Sequence, residues 1–323
     1  MKTHYLGLEL ASPVVVASSP YTATRENIEK CAAQGAGAMV LKSIFEEQVL
    51  RRTAAYDYRS QGMGDSGEYL ESYLGDEYKL EFLRLIGDAR KTGLPVIASI
   101  NCVSAGEGWI DYAAAMADAG ASALELNIFL QPADPKRPAQ QIESDYTAIV
   151  RQVAGAVRIP VSVKLPMRLT NVLALADALH GCGARGAVLF NRYFEPDIDI
   201  ERLEFVAGDP FSEPSELRNV LRSTALCTSA VPELDVAVST GVHDGEAAVK
   251  ALLCGARAVQ VCTAIHRSGY EAIAEIGRFV DEWAARHGFA ALEEFYGKLN
   301  YGEIGDALFQ RVQYMKHYPA GAE

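Results

Sequence analysis

A chain of 323 residues, 49% hydrophobic and 22% charged, has the length and apolar content for a large buried core and reads as one globular domain over residues 1–323. A net charge of −12 excludes nucleic acid and an anionic membrane surface as expected partners. Six cysteines without CxxC or zinc-type His/Cys spacing read as reduced thiols of a cytoplasmic protein, and no metal is expected. The opening MKTHYLGLEL lacks a signal-peptide core, and no run approaches the ~20 apolar residues of a membrane span.

Residues 5–10 flank Gly7 and predict a small N-terminal β-hairpin. Pro13 opens the β-branched run 14–17, a first buried strand. A helix starts after Thr22 or Thr24, either of which suits an N-cap, and stops at Gly35 and Gly37. The second strand, 38–41, ends on Lys42-Ser43. Residues 44–77 are polar and rich in Tyr and Gly, which predicts a long loop before a helix over 78–92. Strand three, 95–100, ends on Asn101-Cys102; a helix covers 109–119; strand four, 123–126, ends on Asn127. A helix over 139–157 leads to strand five, 161–163, which ends on Lys164. A helix over 172–180 leads to strand six, 187–190, which ends on Asn191 and opens a second long loop, 192–212. A helix over 216–227 precedes strand seven, 236–238, ending on Ser239-Thr240-Gly241. A helix over 245–254 precedes strand eight, 258–261, ending on Cys262-Thr263. A closing helix spans 270–286, and a short one falls within 292–299.

Eight strand–helix alternations predict a parallel sheet and, at this length, an α/β fold of the (β/α)8 TIM-barrel type. The competing doubly wound sheet would carry a glycine-rich turn after its first strand, where this chain has Ser18-Ser19-Pro20. A dinucleotide-type spacing at Gly181, Gly183 and Gly186 lies between a helix and the next strand. That order is wrong for nucleotide binding, and the glycines read as a helix stop and a tight turn.

In a barrel the C-terminal ends of all the strands converge on one face. One asparagine or lysine at a strand end often does no more than leave the core at a wet rim. Two lysines and three asparagines on one rim ask for a ligand rich in carbonyls and ring nitrogens. The small residues after strands seven and eight let backbone N–H groups approach a phosphate. Read alone, ordinary tight turns explain them equally well. Together with the rim, they favour a phosphate-bearing cofactor.

The residues also carry a resemblance. The run Leu6-Gly7-Leu8-Glu9-Leu10-Ala11-Ser12-Pro13 is followed in order by Lys42-Ser43, Ile100-Asn101, Glu125-Leu126-Asn127 and Val163-Lys164-Leu165-Pro166. Asn191, Ser239-Thr240-Gly241-Val242, Val259-Gln260-Val261-Cys262-Thr263-Ala264 and Phe295-Tyr296-Gly297-Lys298-Leu299 complete it. On these motifs the chain resembles the soluble class of the dihydroorotate dehydrogenase family, which are FMN-binding barrels. The resemblance implies an FMN-dependent oxidoreductase that converts dihydroorotate to orotate in pyrimidine biosynthesis. It places Ala17, Ser18 and Ser43 along the flavin and Lys42 between flavin and substrate. Asn101 and Asn127 fall at the ring or substrate, Lys164 at the electron-accepting end of the ring, and Asn191 on the substrate. Ser239, Thr240, Gly241, Cys262 and Thr263 fall at the phosphate side. The implied partners are a small-molecule substrate and a second copy of the chain. A cation at position 164 has a physical reason, since it favours negative charge arriving on the ring.

The chain departs from that pattern in one loop. After the fourth strand the family reads Asn, any residue, Ser, Cys, Pro, Asn, and its cysteine is the base. Here the loop reads Asn127-Ile128-Phe129-Leu130-Gln131-Pro132, so Leu130 stands in the place of the cysteine and cannot accept a proton. Phe211-Ser212-Glu213-Pro214 replaces a glycine-rich turn of the family, and residues 56–69 lack the asparagine the family uses there. The catalytic residue is therefore unassigned; Cys102 is the first substitute, followed by Ser104, Glu46 and His243. The expected activity is an FMN oxidoreductase with an altered substrate or weak turnover of dihydroorotate. Two rivals are a flavin-binding protein without turnover, and a flavin-free phosphate-binding lyase using Lys164 or Lys42 as a Schiff base.

Overall fold

The computed structural model describes residues 1–45, 66–102, 108–130, 134–192 and 195–304. Glu46, Ser104, Gln131, Pro132 and residues 56–65 of the first long loop lie outside the described residues.

The chain opens with the antiparallel hairpin β1 (Thr3–Tyr5) and β2 (Leu8–Leu10), which turns through Leu6 and Gly7 at φ 57° and 74°. Then follow β3 (Val14–Val16), α1 (Arg25–Ala33), β4 (Ala38–Val40), the short β5 (Ile44–Phe45), α2 (Ser66–Arg90), β6 (Val96–Cys102), α3 (Gly108–Asp118) and β7 (Ala123–Ile128). The chain continues with α4 (Ala139–Ala156), β8 (Val161–Pro166), α5 (Val172–Gly181), β9 (Gly186–Asn191), the hairpin β10 (Pro196–Asp199) and β11 (Glu204–Ala207), and α6 (Leu217–Ala230). It ends with β12 (Asp235–Ser239), α7 (Gly245–Leu253), β13 (Ala258–Val261), α8 (Thr263–Ser268), α9 (Glu271–Arg286) and α10 (Tyr301–Ile304). Strands β3, β4, β6, β7, β8, β9, β12 and β13 pair in parallel, and the β4–β6 pairing closes the ring. The fold is a (β/α)8 barrel.

Local chemistry starts several helices where the sequence predicts. Thr24 caps α1 by accepting from Asn27 N, and Asn171 caps α5 by accepting from Ala174 N. The strands are apolar on both faces because helices cover the outside and a core fills the inside.

The inside has its own small core. Tyr5, Leu6 and Leu10 of the hairpin plug the bottom of the barrel against Val15, Ala38, Ile97, Ala123, Val188, Ala237 and Ala258. Alanine at four of these positions leaves room for the plug. Gly186 does the same at the foot of β9, where a Cβ would lie 2.5 Å from Leu6 Cδ2. Asp235 Oδ2 accepts from Leu6 N at 2.7 Å and fixes the turn.

Several elements differ from the sequence-based expectation, among them the short β5, α8 and α10, which it did not contain. Helix α2 begins at Ser66, not near residue 78. Tyr69, Tyr73 and Leu74 already recur at helical spacing, and each interior glycine costs only about 1 kcal/mol, so Gly75 does not break a helix of 25 residues. The loop after β9 contains β10–β11, whose alternation at Asp197-Ile198-Asp199-Ile200 is strand-like but brief. The region 292–299 holds only a 3₁₀ turn at Leu292–Glu294.

Candidate active site

Strand register stacks the inner residues in layers. Asn101, Asn127 and Lys164 stand abreast on β6, β7 and β8. One layer below, Ser99, Glu125 and Ser162 stand abreast on the same strands. On the opposite wall Ser239 and Gln260 are paired, with Val15 next to Gln260. The interior thus runs from an apolar plug, through a polar middle, to a cleft at the C-terminal strand ends.

The cleft has two joined lobes of about 430 and 390 Å³. Ser18, Lys42, Lys164, Asn191 and Arg192 line both. Ala17, Ser239, Thr240, Gly241, Cys262 and Thr263 line the larger lobe, and Ser43, Asn101 and Asn127 line the smaller. All the residues named from the sequence for cofactor or substrate therefore surround one space.

The far end of the larger lobe is built for close approach. Thr240 and Gly241 sit at φ 75° and 80°. A Cβ on Gly241 would lie 2.6 Å from Leu217 N at the start of α6. Thr240 Oγ1 donates to Phe190 O at 3.0 Å, which holds the turn against β9. Ser212 closes this end: its N–H donates to Thr263 Oγ1 at 3.2 Å, and its hydroxyl lies 2.9 Å from His243 Nε2. Burial, then the nearby Arg267, lowers the His243 pKa. His243 thus backs the larger lobe through Ser212 and lines neither lobe. Helix α7 does not offer its N-terminus freely, because Asp244 Oδ1 already accepts from Ala247 N at 2.8 Å.

The smaller lobe is more charged. Lys42 extends over the Phe45 ring with Nζ 4.0 Å from its centroid, and among the described residues it has no acid partner. Burial lowers its pKa below the usual lysine value. Ser18, Ser43 and Ser99 form a hydroxyl chain, with 3.0 Å and 2.8 Å between successive oxygens. Asn191 Nδ2 donates to Asn127 Oδ1 at 2.9 Å. Below them Lys164 Nζ donates to Gln260 Oε1 at 2.9 Å, and Gln260 Nε2 donates to Glu125 Oε2 at 2.5 Å.

The loop after β7 splits by alternation. Phe129 lines the cleft. Leu130 is buried and faces a separate cavity of about 150 Å³ with Ile142, Tyr146 and Leu169. Cys102 closes β6 in register with Ile128. Sequence reasoning missed Phe45, Phe129, Arg192, Ser212, Glu125 and Gln260 as cleft residues. Period-two alternation from Asn127 back to Glu125, and from Ala258 to Gln260, was the available signal for the last two.

Among the described residues no group of three or more His, Cys, Asp or Glu is placed to hold a metal ion, and no helix is long and apolar enough to cross a membrane. No family model matches the chain. Curated relatives do match. Dihydroorotate dehydrogenase A (fumarate) of Lactococcus lactis subsp. lactis is 26% identical over 314 residues, 93% of this chain and 99% of the relative. A putative dihydroorotate dehydrogenase A (fumarate) of Aeropyrum pernix is 31% identical over 216 residues, 64% of this chain and 68% of the relative. The chain belongs to the dihydroorotate dehydrogenase family. The B-type branch of the family matches as well. The catalytic subunit of dihydroorotate dehydrogenase B (NAD(+)) of Methanothermobacter thermautotrophicus is 27% identical over 306 residues, 92% of this chain and 97% of the relative. The motif residues Lys42, Ser43, Asn101, Asn127, Lys164, Asn191, Ser239, Thr240, Gly241, Cys262 and Thr263 line the two-lobed cleft, whereas the opening motif forms the hairpin plug.

Proposed function

We propose that this member of the dihydroorotate dehydrogenase family is an FMN-dependent oxidoreductase of the cytoplasm. Its substrate is a small molecule other than dihydroorotate, or dihydroorotate turned over weakly. The observation that carries this reading is the continuous cleft, with a tight turn at Thr240-Gly241 on its larger lobe and the Lys164 ammonium where the lobes join.

The residues fit FMN. A Cβ at position 241 would clash with the Leu217 backbone, so the turn stays a bare glycine, and Thr240, Thr263 and Ser212 line the same lobe with polar groups. Lys42 is a half-buried cation without an acid partner among the described residues, which suits an anionic or carbonyl-rich ligand. FMN, when bound, supplies the two-electron acceptor. This chain's own residues do the rest. Ser239, Thr240, Gly241, Cys262 and Thr263 hold the phosphate side. Ala17, Ser18, Ser43 and Asn101 line the ring. Lys164 faces its electron-accepting edge. Lys42, Asn127 and Asn191 orient the substrate, and Phe45 and Phe129 exclude water from it.

The altered substrate follows from the loop after β7. The side chain facing the cleft beyond Asn127 is Phe129, and Leu130 packs away from it. Neither accepts a proton. A substrate whose departing proton sits on nitrogen or oxygen needs no strong base there. The relatives named above lend the flavin-free lyase reading no support.

The partner proposed is a second copy of the chain. Ile198, Ile200, Leu203 and Phe205 of the β10–β11 hairpin are exposed at 57–87%. A cluster of large apolar side chains of this kind suits a protein–protein contact. Sedimentation of wild type against Leu203→Glu tests it; a wild-type monomer removes it.

The function is tested by purifying the chain, measuring FMN per protein, and screening metabolites for anaerobic bleaching. Stoichiometric FMN bleached by a substrate other than dihydroorotate supports the reading. A colourless protein that takes up no FMN removes it.

A further inference from the structure

Beneath the cleft lies a buried acid that the proposed reaction does not use. Glu125 points inward from β7 and is 0% exposed. Its Oε2 accepts from Gln260 Nε2, and Gln260 Oε1 in turn accepts from Lys164 Nζ. Its Oε1 has no hydrogen-bond partner among the described residues, and neither has the Tyr5 hydroxyl of the hairpin plug. Burial, then the Glu125 charge, holds the Tyr5 phenol well above its usual pKa.

An amide has one donor end and one acceptor end. A carboxylate on one side of Gln260 demands the donor end. The carbonyl end is then turned toward Lys164, across the barrel from β13 to β8. Gln260 is 2% exposed and Lys164 7% exposed, so water competes little with either contact. The acid and the ammonium are thus joined through a single amide, in an interior where charge is weakly screened. An acid with half of its acceptor capacity unused is a costly occupant of a core, and valine or leucine would fill β7 more simply.

We propose that Glu125, acting through Gln260, is a positioning residue that holds Lys164 at the lobe junction and sets how strongly that cation favours negative charge on bound FMN. The proposal rests on the FMN reading of the cleft. Glu125 lies at the floor of the smaller lobe and is 0% exposed, so its influence on the cleft runs through the amide. It orients the amide, and the amide holds the ammonium back at Gln260, so without the acid's charge the lysine is freer to turn toward the ring.

The test compares wild type, Glu125→Gln, Lys164→Met and the double variant, each as the FMN-bound protein. Sulfite affinity and midpoint potential both report positive charge at the bound ring. Glu125→Gln keeps shape and an acceptor but removes the negative charge. It should tighten sulfite binding about tenfold, and the same factor raises a two-electron potential by about 30 mV. Lys164→Met should shift both readouts the other way. Adding Glu125→Gln to Lys164→Met should change nothing further, because the acid acts through the lysine. A purely structural Glu125 would leave potential and sulfite affinity unmoved.

Glu125→Gln that retains FMN with unchanged potential and sulfite affinity overturns the proposal. So does a shift of equal size with and without Lys164. A wild-type protein that takes up no FMN sinks the cofactor reading and this proposal together, whereas FMN uptake with unmoved potentials sinks this proposal alone. Should the variants fail to fold, wild type still decides. Reduction of its bound FMN should perturb a buried carboxyl band in infrared difference spectra, and a spectrum without any carboxyl band contradicts the proposal.

Discussion

Asn191 Nδ2 donates to Asn127 Oδ1 at 2.9 Å, tying the ends of β9 and β7 together across β8. The bond orients both amides. Asn127 is left with N–H donors for the cleft, and Asn191 with its carbonyl oxygen. A ligand seated there meets a donor on one side and an acceptor on the other, a pattern that reads a ring with both a carbonyl and an N–H. Asn191→Ala removes the acceptor and frees Asn127. Steady-state kinetics on the substrate found by anaerobic screening should show kcat/KM lower by about 10- to 100-fold, as expected for one lost oriented hydrogen bond. FMN content should stay unchanged.

Gly241 is tightly constrained at the edge of the larger lobe. An alanine there adopts φ near 80° and sets a Cβ 2.6 Å from Leu217 N. The strain is of order 1–3 kcal/mol and falls on the turn that lines the larger lobe. Fluorescence titration of apoprotein should show Gly241→Ala binding FMN about 10- to 100-fold more weakly. Riboflavin, which lacks the phosphate, should lose less.

Glu125 gives stability a pH signature. Burial holds its carboxyl above the usual glutamate pKa, against the opposing pull of Lys164 and Gln260. A raised carboxyl costs nothing below the unfolded value, where both states are protonated. As pH rises, the unfolded chain ionises first, and stability falls until the folded carboxyl has titrated. Glu125→Gln should therefore melt above wild type at neutral pH and level with it near pH 4. Thermal melts across that range check the crossing.

Three thiols are silenced by their surroundings. Burial pushes Cys31 and Cys227 up to about 12 and Cys254 up to about 11. Thiolate is the reactive form. Mass spectrometry after alkylation at pH 8 should find these three unmodified in the folded protein and modified in denaturant.

The rim of the cleft was legible because strand ends announce themselves. Lys42, Asn101, Asn127, Lys164 and Asn191 each follow an apolar run, and the barrel topology alone gathers them. The middle layer was harder. Glu125 and Gln260 sit inside strands, and a polar residue within an apolar run shows its partner only when strands far apart in sequence face each other. A separation of 135 positions carries no periodic signal. Helix α2 was cut short because Gly75 and the acidic residues around it resemble a loop, though the aromatic spacing is helical. Leu130 shows the limit of motif matching. Its place in the motif says that the base is missing, but only the alternation past Asn127 puts Phe129 toward the cleft and Leu130 into the helix layer.

The most direct test of the central claim is stopped-flow bleaching of the FMN-loaded protein by dihydroorotate without oxygen, beside the Lactococcus lactis relative. General-base catalysis is worth about 10²–10⁴-fold. The account predicts bleaching slower than the relative's by a factor of that order, with dithionite reducing the same protein completely. Bleaching by dihydroorotate at the relative's rate would contradict it.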